Sequence, residues 1–389
     1  MQLPVPDKHA LEHSQRLCDR IRETIQLNNG YIDFATFMNM AMYEPGLGYY
    51  SSGASKLGAD GDFITAPEIS PLFTRCLARQ VTEILNMLEK PCILEVGPGS
   101  GEMCCNLLLD LEQNDCLPEN YFLLELSGDL RERQVQLIKT RIPHLAKLVI
   151  WLDTLPDKQF SGIILANEVI DAMPVHRITL HDGELLAYGV GFSDGKFDWQ
   201  ISELDDSLKQ LVYERLDRNI HNLPEGYTTE INNRIMPWLG SMADVIEQGV
   251  LLFIDYGYPR NEYYHPQRTD GTLLCHYRHY VHNDPFFYPG LQDITASVDF
   301  TAVAEAAVAT GLQVNGYTTQ AHFLMGCGLG EVMQAIKLNS IAERIEMANQ
   351  ARLLTMPGEM GERFKVIALV KGIDSPLTGF QYLDHRSRL

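Results

Sequence analysis

The chain predicts an α/β protein with a doubly wound, mostly parallel sheet, and three observations carry that prediction. Short apolar runs at Cys92–Val96, Tyr121–Glu125, Lys147–Trp151, Gly162–Asn167 and Val250–Tyr256 alternate with helix-period segments. That alternation is the pattern of strands in a parallel sheet covered by helices. The first two runs end in or near a carboxylate, Glu95 and Glu125. Glycine then occupies every second position of Gly97-Pro98-Gly99-Ser100-Gly101, where the chain must turn tightly under a ligand.

The elements follow in order. Leu11–Gln26 and Phe34–Tyr43 have helical patterns, and Glu44–Tyr50 reads as a turn. Ser51–Pro71 is long, irregular and carries Asp62 and Glu68; its Phe and Ile content favours a lid or wall over a ligand. The five core runs come next. The turns His181-Asp182-Gly183-Glu184 and Ser193-Asp194-Gly195-Lys196 mark hairpins in a β-rich insertion, followed by a helix at Ile235–Glu247. Gly257–Thr295 reads as a second irregular stretch. A helix at Phe300–Thr310, a strand at Gln313–Tyr317, helices over Ala321–Gln350 and a last strand, Phe364–Lys371, close the sheet. As domains, this gives N-terminal helices and lid over 1–90, the first part of the core over 91–177, and an inserted subdomain over 178–248. The rest of the core spans 249–389, with a substrate loop at 257–295.

Composition narrows the function. A length of 389 residues with 45% apolar content allows one large domain with insertions, or two domains. The net charge of −20 opposes non-specific nucleic-acid binding, which needs cations against phosphates. It suits a small-molecule or basic-peptide substrate. No run is long and apolar enough for membrane insertion. Residues 1–25 mix acids and arginines without an apolar core, so they read as an exposed helix rather than a leader. The eight cysteines form no C-x-x-C pair, which fits a reducing cytoplasm and argues for no metal. The histidines at 276, 279 and 282 lack an acidic partner at a ligand spacing and read as wall or substrate contacts.

The glycine loop separates two cofactors. A dinucleotide fingerprint is G-x-G-x-x-G, with pyrophosphate on the following helix. Here the third glycine comes one residue early and Glu102 opens the helix. A carboxylate there repels pyrophosphate and tolerates a sulfonium or amino group. The loop therefore favours S-adenosyl-L-methionine over NAD. Glu95, Gly97, Pro98, Gly99 and Gly101 form the cofactor set, with Glu125 for the ribose hydroxyls. Asp153, just past the third run, and Asn167 complete it.

The run Asn167-Glu168-Val169-Ile170-Asp171 begins at the end of the fourth strand. Asn167 could hold an acceptor nitrogen, while Glu168 and Asp171 could bind a cationic acceptor or take its proton. Paired carboxylates match the forked donors of a guanidinium. Asp62 and Glu68 are further candidates from the lid. The alternative is that Asp171 caps a turn and Glu168 is solvated.

Several runs together carry a resemblance. They are Tyr43–Tyr50, Gly61–Phe73, Glu95–Gly101, Ala166–His176, Ile254–Gly257, Tyr263–Pro266, Gly271–Leu273, His276–Arg278 and Gly290–Thr295. Through them the chain resembles the MidA-like S-adenosylmethionine-dependent methyltransferases, a family related to a mitochondrial assembly factor of respiratory complex I. The resemblance implies a class I methyltransferase with a Rossmann-like sheet. It also implies N-methylation of an arginine on a protein partner, such as a complex I subunit. It places the protein in a bacterial cytoplasm, or in the mitochondrial matrix for a processed eukaryotic member. A homodimer is left open. The rivals are a non-catalytic scaffold with a methyltransferase fold and a NAD-dependent oxidoreductase, the latter opposed by the glycine spacing. Nucleic-acid methylation is opposed because Asn-Glu-Val-Ile stands where an Asn-Pro-Pro-aromatic run would be expected.

Overall fold

A computed structural model of the protein describes residues 3–51, 65–216 and 220–389. The chain divides into two compact units that interleave along the sequence. One takes the described residues of Met1–Phe63 with Asp171–Ile235 and Arg260–Ser297; the other takes those of Ile64–Ile170 with Met236–Pro259 and Val298–Leu389. The linear segments 1–90, 91–177, 178–248 and 249–389 each cross or subdivide these units, because the chain leaves the second unit twice and returns.

The second unit contains the predicted sheet. Its seven main strands lie in the order Val149–Leu152, Tyr121–Leu124, Cys92–Val96, Phe160–Asn167, Ile246–Tyr258, Phe364–Lys371, Gln313–Thr319. The first five are parallel. They are apolar at the centre, as strands covered on both faces must be: all five residues of Cys92–Val96 are buried. Phe364–Lys371 was expected to close the sheet, yet it sits one place in from the edge. It runs antiparallel to both Ile246–Tyr258 and Gln313–Thr319. The strand order reverses between Cys92–Val96 and its parallel neighbour Phe160–Asn167, so the open crevice of a doubly wound sheet lies at their carboxyl ends. Helices Pro71–Leu85 and Glu102–Gln113 pack Leu77, Val81, Leu107 and Leu111 into the same core as Ile93 and Tyr121. The expected helical stretch Ala321–Gln350 is three helices, Gln320–Gly326, Leu329–Ala335 and Ile341–Thr355.

The first unit contains the β-rich insertion. Strands His176–His181, Glu184–Ser193 and Lys196–Glu203 form a meander, with Thr228–Ile231 beside the first and Ile32–Asp33 beside the second. Both expected hairpin turns are present. Asp182 and Asp194 have φ of 50° and 49°, each followed by a glycine at positive φ, as a two-residue hairpin turn demands. The stretch expected to be irregular, 257–295, also contains a three-stranded sheet of Leu274–Tyr277, Tyr280–His282 and Asp293–Thr295. Those strands are only three or four residues long, too short for an alternation signal to emerge. Helix Lys8–Leu27 and helix Phe34–Tyr43 join them around Leu17, Phe34, Phe37, Val190 and Ile294.

Candidate active site

The glycine loop leaves the carboxyl end of Cys92–Val96 at the reversal point of the second unit's sheet. Gly97 donates its N–H to the Leu124 carbonyl at 3.1 Å, and Gly101 closes the turn on the Pro98 carbonyl at 2.9 Å. Gly97 and Gly101 both lie in the left-handed region, φ 64° and 85°. A Cβ on Gly97 would stand 3.0 Å from Val169 Cγ2, and one on Gly101 would stand 3.2 Å from Gln134 Cγ. The loop is thus packed against the 167–170 segment on one side and helix Gly128–Arg141 on the other. Gly101 is also the N-cap of helix Glu102–Gln113 and supplies no capping side chain. A helix start with unpaired N–H groups is a place for a polar ligand.

The two strand-end carboxylates have different surroundings. Glu95 is 1% exposed and accepts a 2.6 Å hydrogen bond from the Tyr121 hydroxyl. Burial pushes its carboxyl up to about 8, while the Tyr121 bond pulls the other way. Glu125 is half-buried at the end of the neighbouring strand. Its two oxygens accept the Ser127 N–H at 2.8 Å and the Gln134 side-chain amide at 3.0 Å.

Gln134 is a residue that sequence reasoning missed. It is fully buried, and its amide nitrogen also donates to the Gly99 carbonyl at 2.8 Å. Its amide oxygen accepts the Trp151 indole N–H at 3.0 Å. One side chain therefore ties together the loop, Glu125 and the next strand. Nothing in a lone Gln on a polar helix signals this role.

On the other side of the crevice, Asn167 ends strand Phe160–Asn167. Its amide nitrogen donates to Glu168 Oε1 at 3.0 Å. Its Oδ1 is buried and has no hydrogen-bond partner among the described residues. Glu168 adopts φ 54°, a conformation costing a non-glycine residue on the order of 1 kcal/mol. Its N–H is tied to the Ile254 carbonyl at 2.9 Å. Asp255 is 1% exposed and accepts the N–H groups of Ile170 and Tyr256, each at 2.9 Å. It therefore pins the backbone after Glu168.

The remaining candidates lie elsewhere. Asp171 begins the first unit's return segment and is 5% exposed. Glu68 sits in the first turn of helix Ala66–Ile69 and reaches back to the Thr65 N–H at 3.4 Å, a capping-box arrangement. Asp153 is 84% exposed and paired with Arg131 at 2.5 Å. Asp62 lies outside the described residues. Glu102 is paired with Arg141, whose guanidinium also reaches Asn106. Its charge is therefore compensated, so Glu102 does not by itself repel a pyrophosphate. His276 and His282 lie on paired strands and His279 in the turn between them, so the three do not share a helix face.

The site's residues suit S-adenosyl-L-methionine. A glycine cradle that a Cβ would fill lies beside a carboxylate at the second strand's end, and an amide oxygen without a partner among the described residues lies at the fourth. Comparison with known proteins agrees. Residues 76–318 match the sequence model of a family described as "Putative S-adenosyl-L-methionine-dependent methyltransferase". A protein of Burkholderia thailandensis, crystallised bound to S-adenosyl-homocysteine, is 39% identical with a TM-score of 0.94, covering 100% of both chains. The mitochondrial protein arginine methyltransferase NDUFAF7 homolog of Drosophila melanogaster is 27% identical, covering 92% of this chain and 85% of the relative. Its Danio rerio counterpart is 28% identical, covering 88% and 84%.

Proposed function

The chain belongs to the family of S-adenosyl-L-methionine-dependent methyltransferases matched over residues 76–318, and from that premise we propose that it N-methylates an arginine side chain of a protein. The observation that carries this reading is the end of strand Phe160–Asn167. There a buried amide oxygen without a partner among the described residues stands beside a carboxylate on a left-handed backbone. An N–H-rich, cationic acceptor uses both groups. The names of the fly and zebrafish relatives point the same way.

S-adenosyl-L-methionine, when bound, supplies an electrophilic methyl group on a sulfonium. Glu125 accepts the ribose hydroxyls, and the loop Gly97–Gly101 lets the backbone lie close beneath the ligand. Asn167 Oδ1 accepts an N–H of the acceptor and aligns the attacking nitrogen; alignment supplies much of the rate of an in-line displacement. Glu168 receives the proton that the acceptor nitrogen sheds on alkylation. Its hydrogen bond from Asn167 keeps the two groups in one geometry.

The net charge of −20 favours encounter with a basic peptide segment. The sequence resemblance points to a respiratory complex I-type subunit as the protein that carries the arginine. No helix among the described residues is long and apolar enough to cross a membrane. Mass spectrometry of proteins from cells with and without the gene tests the reading. An arginine that carries methyl groups only when the gene is present supports it, and an unchanged arginine methylome contradicts it.

A further inference from the structure

Asp255 is the first residue of strand Ile246–Tyr258 beyond its last pairing with strand Phe160–Asn167, the pair of Ile254 with Asn167. Past that pair the two chains part. Glu168 still donates its N–H to the Ile254 carbonyl at 2.9 Å, then turns aside at φ 54°. Two later N–H groups, one from each chain, are taken by a single side chain. Ile170 donates to Asp255 Oδ2 and Tyr256 to Asp255 Oδ1, each at 2.9 Å. One carboxylate thus takes over where the ladder stops and joins the two departing chains.

Asp255 is 1% exposed. A carboxylate held there is costly unless its oxygens are bonded, and an amide of the same shape accepts on one side only where two N–H groups are offered. The same short segment is held from another side. A Cβ on Gly97 would stand 3.0 Å from Val169 Cγ2, so Val169 lies against the glycine loop. Glu168 is therefore fixed by Ile254 before it, by Asp255 after it and by the loop beside Val169. A non-glycine residue keeps a left-handed conformation only where its surroundings over-determine it. All of these groups belong to the second unit.

We infer that Asp255 is a positioning residue for methyl transfer, which holds the Glu168 carboxylate in its working geometry through the backbone of residues 168–170. The inference rests on the reading of Glu168 as the proton acceptor. The proton that the acceptor nitrogen loses goes to Glu168; Asp255 exchanges none and acts through Glu168 alone. Without Asp255 the backbone after Glu168 is untied on one side, and the bond from the Asn167 amide to Glu168 Oε1 at 3.0 Å loses its fixed frame. A displacement of about 1 Å at a reacting group can cost about a hundredfold in rate.

The test uses the full chain, radiolabelled S-adenosyl-L-methionine and protein extract from cells lacking the gene. Methylarginine is counted in acid hydrolysates over a series of extract concentrations. Rates are expressed per S-adenosyl-homocysteine site titrated by calorimetry, so unfolded protein does not count. Wild type, Asp255→Asn, Glu168→Gln and the double variant are compared. Asp255→Asn is expected to lower the saturated rate about tenfold to a hundredfold. Its half-saturating extract concentration and its affinity for S-adenosyl-homocysteine should stay within about threefold of wild type. The double variant should run at the Glu168→Gln rate, because Asp255 then has nothing left to position; a merely structural role would multiply the two losses. A wild-type rate for Asp255→Asn, or losses that multiply, overturns the assignment and leaves Glu168 as the proton acceptor. A wild-type rate for Glu168→Gln overturns that acceptor and the assignment with it, and no methylarginine from wild type overturns the arginine reading as well. If Asp255→Asn binds no S-adenosyl-homocysteine, the smaller Asp255→Ser, which keeps one acceptor oxygen, decides in its place.

Discussion

The two sides of the crevice in the second unit differ in how completely they satisfy themselves. Around the glycine loop, Gln134 has both ends of its amide bonded, to Gly99, Glu125 and Trp151. Around Asn167, an amide oxygen is left without a partner among the described residues, and Glu168 sits on a left-handed backbone. The first side is a preassembled cradle whose geometry the fold enforces. The second stores unsatisfied hydrogen-bonding capacity and backbone strain, which natural proteins tolerate chiefly where a ligand or a reacting group completes them. On the proposed reading the contrast separates binding of the cofactor from handling of the acceptor, and it can be broken from either side.

The largest expected effect is on the acceptor side. Glu168→Gln removes the proposed proton acceptor and should lower the methyl-transfer rate about a thousandfold, with S-adenosyl-homocysteine affinity unchanged by calorimetry. Next is Gly101→Val. A β-branched residue at φ 85° that also meets Gln134 should weaken cofactor binding about a hundredfold. Gln134→Leu comes third. It unties the loop from Glu125 and should weaken cofactor binding roughly thirtyfold, about 2 kcal/mol. The acceptor concentration at half-maximal rate should not move.

The smallest effect is a slope. The Glu95 carboxyl is raised by burial from 4.5 to about 8 in the folded chain. Through this group the native state binds more protons than the unfolded state between those values. The contribution of Glu95 to stability falls as pH rises through that window, by at most about 1.4 kcal/mol per pH unit. Glu95→Gln should flatten that slope in urea melts at a series of pH values. A Glu95→Gln slope equal to the wild-type slope would show that Glu95 is charged in the fold.

Much of this was legible in the chain. The apolar run before Gly97 marks a buried strand because a strand covered on both faces has no polar side to alternate with. The Asp-Gly pairs mark the hairpins because a two-residue turn needs positive φ twice. Other features were not legible. The place of Phe364–Lys371, one in from the edge, follows from pairing with strands over a hundred and about fifty residues away. Gln134 looks like any polar helix residue until the fold brings Gly99, Glu125 and Trp151 around it. Glu68 carried its own signal in Thr65-Ala66-Pro67-Glu68, the spacing of a capping box, and that signal points to a structural role. Asp153 follows its strand as a cofactor ligand would, yet its side chain is turned to solvent beside Arg131.

The division of labour is tested most directly by titrating S-adenosyl-homocysteine into wild type, Gln134→Leu and Glu168→Gln under one set of conditions. The account predicts that affinity falls for Gln134→Leu and stays at the wild-type value for Glu168→Gln. Equal losses in both would contradict it, and would mean that the two sides of the crevice form a single binding surface for the cofactor.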